Sequence, residues 1–564
     1  MVRFQKTTTE PTENWKNNMN GDLAFIPLGG TGEIGLNLNV YRCDGDLLAV
    51  DCGLGFGGPE HPEVEVMVPD PAWLAERRDR LQGLVITHAH EDHVGAVAHL
   101  WRQLRCEIWC TPFVAAVLRR KLGEAGLGPQ VKVNVVPPGG RFEAGSFDLE
   151  FLRVSHSVPE AQALAIRTRY GNILHTGDWK LDPQPLIGPP TDEAAFARFG
   201  AEGVLAMVCD STNALVEGHS GSEAEVRRNL TALIKGIKRG RIAVTCFATN
   251  LARVESVAAA ARAAGRDVAL FGRSLRNAEA AARECGYLRD TPPFLSEEEA
   301  EDVPDDKLVV ICTGSQGEPR SAMSKIAADT HPHISMGEGD TVIFSSRMIP
   351  GNERAILRVQ DELSRAGVDV MTADDHMVHV SGHPARDELK RLYQLVKPKY
   401  CVPVHGEWRH MNEHANLAES LGAIAHVIED GDVLRLAPGP VETVESVPVG
   451  RLAIDGDRLL PLDGDVLAAR KKMLMNGVVV ASFAVDGSGR VLGQPQISAP
   501  GLFDGFGEEP AQIAADLARA VTEMPSATRR EDGLLREAAR SAVRKAVGRR
   551  LRKRPSVEVH LLRV

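Results

Sequence analysis

Four metal-ligand side chains crowd into six residues of the stretch THAHEDHVG: His88, His90, Asp92 and His93. The run GLVIT before it has the apolar, β-branched character of a buried strand. After it, Val94, Val97, Trp101 and Leu104 recur at helical spacing. The motif therefore occupies a strand-to-helix loop. Imidazole and carboxylate suit zinc, manganese or iron, and the lack of cysteine argues against a closed structural zinc site. Such a loop can project two ligands toward one ion and two toward a neighbour. Chance histidines on a polar surface loop are the bland alternative, and they would not be so dense or so ordered.

Two further ligand types end apolar runs: His156 in FLRVSHSVP and Asp178 in NILHTGDWK. Alone, the first reads as a core histidine and the second as a cap or turn residue. Beside the first motif they supply the missing ligands. A carboxylate offers two oxygens, so Asp178 can bridge two cations. Metals about 3.5–4 Å apart can clamp a phosphodiester and polarise water toward hydroxide.

At 564 residues the chain exceeds one hydrophobic core, so two to four domains are expected. From Asp22 to Asp210, strand-like runs (LAFIPL, LNLNVY, LLAVDCG, GLVIT, NILHTGD, VLAMVCD) alternate with turns. From Ser222 to Ala373, strand and helix alternate instead (RIAVTCF, VESVAAAARAAG, DVALFG, KLVVICTG, DTVIFSS), which predicts a parallel α/β unit. Histidine and glycine return in density from Asp374. Near the C-terminus, Leu535, Ala539, Val543, Val547 and Leu551 form one apolar stripe of a basic helix, followed by a final strand, SVEVHLLRV. The basic face of that helix reads first as solvated surface and second as an RNA or subunit contact. Gly30, Gly32 and Gly35 match G-x-G-x-x-G, but the period-two run LNLNVY follows where a dinucleotide site needs a helix, so the loop is read as a hairpin turn. The nine cysteines include no C-x-x-C pair and read as buried free thiols of a reducing cytoplasm. No apolar run is long enough to span a membrane. The net charge of −11 excludes a global positive field, so nucleic acid would have to be held by local clusters and bound cations.

HAHEDHVG resembles the H-x-H-x-D-H motif of the metallo-β-lactamase superfamily, and Asp51 in LLAVDCG, His156 and Asp178 resemble its other motifs. The resemblance implies an α/β fold, a four-layer αββα sandwich with metals at one edge. Asp210 in CDSTNA, His383 in HVSGHP and His405 in VPVHGEWR resemble the three motifs of the β-CASP branch, which acts on nucleic acid. GGTGEIGLN, HTGDWK, TGSQGEP, IPGNE and KPKYCVPVHGEWR are similar to the bacterial ribonuclease J family, over nearly the whole chain to about Arg409. HSVPEAQA after the third ligand departs from the pattern, but no motif residue is missing, so an active enzyme is expected.

By that resemblance, His88, His90 and His156 hold one divalent ion, and Asp92, His93 and His405 the other, with Asp178 bridging. Zinc is expected first, with manganese or magnesium as alternatives. Asp51 would orient histidines, His383 would assist the leaving oxygen, and Asp210 would support it. His379, Ser381, Gly382 and His383 would hold a nucleotide phosphate and favour 5′-monophosphorylated RNA. Hydrolysis would leave a 5′-phosphate and a 3′-hydroxyl, running 5′ to 3′ with internal cleavage besides. Arg347 could touch phosphate, though a lone arginine is more often a surface ion pair. The implied domains are a disordered lead-in (1–21), a metallo-β-lactamase domain in two parts (22–221 and 374–446) around a β-CASP insertion (222–373), a linker (447–462) and a small α/β C-terminal domain (463–564). The expected partners are RNA, other copies in a homodimer or homotetramer, and RNA-decay proteins, in the cytoplasm and away from membranes. The rivals are a small-molecule hydrolase of the superfamily, a dead-site RNA scaffold and a DNA nuclease.

Overall fold

The computed structural model describes residues 21–58, 60–349, 351–503 and 508–564. The lead-in expected at 1–21 lies outside them, apart from Gly21. The described residues form two compact units, one within 21–55 and 67–450 and one within 56–66 and 451–564.

In the larger unit, uninterrupted apolar runs form strands buried on both faces, as LAFIPLG at Leu23–Gly29 and VLAMVCD at Val204–Asp210 do. They assemble into two facing sheets. The first runs, in spatial order, Glu442–Ser446, Asp432–Ala437, Leu23–Gly29, Leu38–Cys43, Asp46–Val50, Leu81–Val85, Ile108–Cys110 and Val133–Val135. The second runs Ile424–Ala425, Tyr400–Val404, Val204–Asp210, Gly171–His175, Gln162–Thr168, Phe147–Arg153 and Arg141–Ala144. Phe25, Tyr41 and Val50 from one sheet meet Phe151, Leu164 and Val208 from the other in one buried core. Helices such as Pro112–Glu124 and Trp408–Ser420 complete the α/β sandwich.

The neighbours Val204–Asp210 and Tyr400–Val404 are parallel, with Asp210 opposite Val404. Almost two hundred residues of chain separate them, so the α/β segment between is an insertion whose two ends meet at this sheet. It carries its own five-stranded parallel sheet, in the order Asp267–Phe271, Leu308–Cys312, Ile242–Thr245, Thr341–Phe344 and Asp369–Met371. The alanine-rich stretch forms the helix Leu251–Ala263, capped by the Asn250 side chain accepting from Arg253 N.

In the smaller unit, Val491–Ser498, Val478–Val485 and Ser556–Arg563 form a sheet. The helices Glu509–Thr522 and Asp532–Leu551 pack on it through Ile513, Leu517, Leu535, Ala539, Val543 and Val547. The expected stripe is thus buried except at Leu551, which is 37% exposed where the helix ends. All nine cysteines are free thiols, and eight are buried. Among the described residues no helix is long and apolar enough to cross a membrane.

Candidate active site

The strand Leu81–Val85 ends one residue before the backbone turns into the ligand loop. There the turn after Asp46–Val50 clamps it: Asp51 N donates to Val85 O at 2.8 Å, Cys52 N to His93 O at 2.7 Å and Leu54 N to Glu91 O at 3.0 Å. A Cβ at Gly53 would sit 1.6 Å from Asp92 O, so only glycine permits this approach. Asp51 (φ 64°) and His405 (φ 52°) both hold left-handed backbone, a strain of roughly 1–3 kcal/mol each of the kind that collects at working sites. His405 is anchored by its N–H on Gly30 O at 2.8 Å. The glycine loop that mimics a dinucleotide motif is therefore a turn supporting the site.

Every implied metal ligand comes into one cluster. The ligand atoms of His88, His90, His156 and Asp178 lie within 4.8 Å of one another, as do those of Asp92, His93, Asp178 and His405, and those of Asp178, Asp210, His383 and His405. In the first set His90 Nδ1 is 3.2 Å from His88 Nε2 and 2.9 Å from His156 Nε2, and Asp178 Oδ2 is 3.7 Å from each of those Nε2 atoms. In the second, His93 Nε2 is 3.3 Å from Asp178 Oδ2 and 3.6 Å from Asp92 Oδ2, which is 3.2 Å from His405 Nε2. Ligand atoms about 2.1 Å from one ion at tetrahedral angles are about 3.4 Å apart, so the donor set fits a divalent cation. The same oxygen of Asp178, Oδ2, faces both sets, and Oδ1 lies 3.9 Å from His405 Nδ1.

The imidazoles are oriented from behind. His93 Nδ1 is 2.7 Å from Asp51 Oδ2, His88 Nδ1 3.0 Å from Thr87 Oγ1, and His405 Nδ1 2.9 Å from Thr212 Oγ1. His156 Nδ1 donates to Gly382 O at 2.6 Å. Such partners fix which nitrogen is left for a metal. Thr87 and Thr212 were not anticipated, since a hydroxyl beside a motif carries no spacing signal; nor was Asn37, whose Nδ2 donates to Asp92 O at 3.0 Å.

Burial pushes His88 and His156 well below the ordinary histidine range, with neighbouring imidazoles adding to it, and brings His90 to about 4, leaving all three neutral with a free lone pair. On the carboxylate side burial is outweighed: Asp178, Asp92 and Asp51 hold His93 well above its usual value, and Asp178, Asp210 and Asp92 hold His405 at about 10. There a proton and a metal ion compete for the same nitrogen. Burial would raise Asp178, but His405, His93 and His383 overcome it and keep the carboxylate ionised.

His383 Nδ1 is 2.8 Å from Asp210 Oδ2, and Asp210 Oδ1 accepts from Thr212 N at 2.8 Å. Burial lowers His383, but Asp210 and Asp178 more than reverse it. Ser381 Oγ accepts from Asn213 Nδ2 at 2.7 Å and from His383 N at 3.2 Å, so its own proton is free to donate. Gly382 packs against His156. His379 is not among the clustered ligands; its Nδ1 is buried without a hydrogen-bond partner, and burial, then Arg253, Lys180 and Arg347, push it well below the usual range. Arg347 makes no ion pair among the described residues, unlike the surface pairing read from sequence; its Nη1 donates to Asn213 Oδ1 at 3.0 Å.

Residues 48–200 match the beta-lactamase superfamily domain, 239–363 the ribonuclease J beta-CASP domain, 351–428 the Zn-dependent metallo-hydrolase RNA specificity domain, and 465–564 the ribonuclease J C-terminal domain. The chain is 43% identical over 552 residues to Ribonuclease J of Sinorhizobium meliloti, across 96% of this chain and 98% of that protein. It is 39% identical over 548 residues to that of Mycolicibacterium smegmatis (95% and 96% covered) and 38% over 480 to that of Thermus thermophilus (83% and 84%). A crystal structure of an Enterococcus faecalis protein of unknown function is similar at TM-score 0.51 and 16% identity, over 74% of this chain and 100% of that one, a likeness of fold alone.

Proposed function

The chain belongs to the ribonuclease J family, ribonucleases of the metallo-β-lactamase superfamily, and from that premise we propose that it cuts RNA at a site for two divalent ions, zinc first, as a 5′-to-3′ exonuclease preferring a 5′-monophosphate and as an endonuclease. The observation that carries the reading is the position of Asp178 Oδ2, 3.7 Å from His88 and His156 on one side and 3.3 Å from His93 on the other. One carboxylate oxygen thus lies within reach of the donors of both sets, as a pair of neighbouring ions would need.

Divalent ions bound there supply Lewis-acid polarisation of the phosphate and water acidified toward neutrality. The protein's own residues do the rest. Asp210 fixes His383 by its Nδ1, which leaves Nε2 as the nitrogen able to meet substrate. The carboxylates raise that ring's affinity for a proton, which suits it to hand one to the departing 3′-oxygen as the P–O bond breaks. Water oxygen ends on phosphorus, giving a 5′-phosphate and a 3′-hydroxyl. The Ser381 hydroxyl, with Asn213 and Arg347 behind it, is suited to donate to a terminal phosphate. Self-association as a homodimer or homotetramer, and contacts with RNA-decay proteins, belong to the same reading.

The test is one RNA supplied with 5′-monophosphate, 5′-triphosphate or 5′-hydroxyl ends. The monophosphate form should be degraded from its end much faster than the triphosphate. Ser381→Ala should reduce that preference about tenfold or more, because a hydrogen bond to a charged group is worth roughly 1.5–3 kcal/mol. Equal end-directed rates on mono- and triphosphate in the wild type would refute the pocket.

A further inference from the structure

The net charge of the chain is −11, yet residues 451–564 hold 19 Lys and Arg against 14 Asp and Glu, a net of +5. Part of this excess is gathered in one place. A groove of about 590 Å³ is lined by Lys472, Arg544, Lys545, Lys553 and Arg554, with Gly548 and Pro555, and among the described residues by no acidic one. Lys472 comes from the helix Asp465–Asn476, Arg544 and Lys545 from Asp532–Leu551, and Lys553 and Arg554 from the turn that enters the last strand.

Most other arginines of the long helix are neutralised within the domain. Arg540 pairs with Glu537, and Arg549 and Arg550 both reach Asp516. Among the described residues none of the five groove cations has a carboxylate partner. Among the described residues the Lys553 ammonium donates to the Met475 carbonyl at 3.2 Å, and the other four side chains have no hydrogen-bond acceptor. The helix macrodipole favours cations in the last turn, here Arg549 and Arg550, but fades beyond it. It does not account for Arg544, Lys545 or Lys472. Like charges held together without counter-ions repel, and what relieves them is an anion with several charges in a row.

We propose that this groove binds the phosphate backbone of RNA outside the catalytic site. Among the described residues no aromatic side chain lines it, so these offer no stacking platform for bases, and the contact would be independent of sequence. The inference rests on RNA being the substrate. It gives an acidic enzyme a local hold on long polyanions that its overall charge would repel.

The test uses the full-length, metal-loaded protein and two 5′-monophosphorylated RNAs, of five and of forty nucleotides. The variant is Lys472→Ala, Arg544→Ala and Lys545→Ala together; Arg549→Ala with Arg550→Ala, removing paired arginines, is the control. Binding is read by fluorescence anisotropy in a His383→Ala background, and cleavage of the five-mer without it. The groove variant should weaken binding of the forty-mer at least fivefold at 0.1 M salt. The slope of log affinity against log salt should fall by about 2, since each lost phosphate contact removes about 0.7. Cleavage of the five-mer, whose few phosphates are taken up at the catalytic site, should not change, nor should the control bind differently. Equal forty-mer binding by variant and wild type overturns the proposal. So does a change in sedimentation mass without a change in RNA affinity, which would make the groove a protein contact. Failure of the wild type to cleave any RNA would strike the proposed activity instead, and the anisotropy arm would still decide the groove.

Discussion

Gly382→Ala should damage metal binding without straining the backbone. Gly382 does not have positive φ, so alanine is allowed there in principle. The obstacle is the site. An added Cβ would lie 2.6 Å from His156 Cε1 and 2.8 Å from its Nδ1, where ordinary contact begins at 3.4 Å. Ring and loop must separate by about 0.8 Å at the nearer atom, while the 2.6 Å hydrogen bond from His156 Nδ1 to Gly382 O pulls them together. Overpacking of this size costs roughly 1–3 kcal/mol. Its effect falls on an imidazole only 2.9 Å from His90 Nδ1, so the ligand set opens. Losing the support behind a metal ligand weakens metal affinity about 10–100-fold, and misplacing a reacting group by about 1 Å costs about 100-fold in rate. Chelator competition, kcat on 5′-monophosphorylated RNA and the thermal midpoint should be measured together. Gly123→Ala, a helical position with nothing within 4 Å of its added Cβ, should leave all three unharmed. A Gly382→Ala enzyme with wild-type metal affinity and kcat within twofold would show that His156 does not need this contact.

Two further outcomes follow from buried polar groups. Arg253 is fully buried, bridges both Glu223 oxygens at 3.0 and 3.1 Å, and donates to Ser345 O and Val378 O at 2.8 and 2.7 Å. Arg253→Ala strands Glu223 and should cost about 3–5 kcal/mol of stability in denaturant titration; a loss under about 1 kcal/mol would contradict the pairing. His414, held by Ser211 Oγ and Tyr393 OH, is pushed by burial to about 4. The unfolded chain therefore takes up this proton first, and the contribution, present above pH 6.5, is lost as pH falls toward 4. It amounts to about 3 kcal/mol, and His414→Gln should flatten that part of the pH–stability curve; an unchanged slope would count against a neutral buried imidazole.

The candidate ligands were legible because metal chemistry restricts residue type and because His88 to His93 are neighbours in sequence. Asp178 and His156 were legible as ligand types ending apolar runs, and Asp210, His383 and His405 only through the resemblance of their motifs. Of the support behind them, Asp51 was read through the resemblance and the rest was not. Thr87 and Thr212 act through single hydroxyls, and Gly382 and Gly53 act through a missing Cβ whose meaning depends on what faces it. Alternating strand and helix patterns pointed to a parallel α/β unit, its place as an insertion came from the resemblance, and the pairing of Asp210 with Val404 that closes it joins distant segments. The grouping of 56–66 with 451–564 is also long-range, and nothing local in either stretch announces it.

The central claim, that two ions held around Asp178 carry out hydrolysis of RNA, is tested most directly by elemental analysis of the purified chain paired with RNA hydrolysis before and after stripping. The account expects about two equivalents of divalent metal, loss of hydrolysis when they are removed, and recovery when they are returned; His90→Ala should keep the fold and lose the activity. Full hydrolysis by protein verified to be free of metal would contradict it.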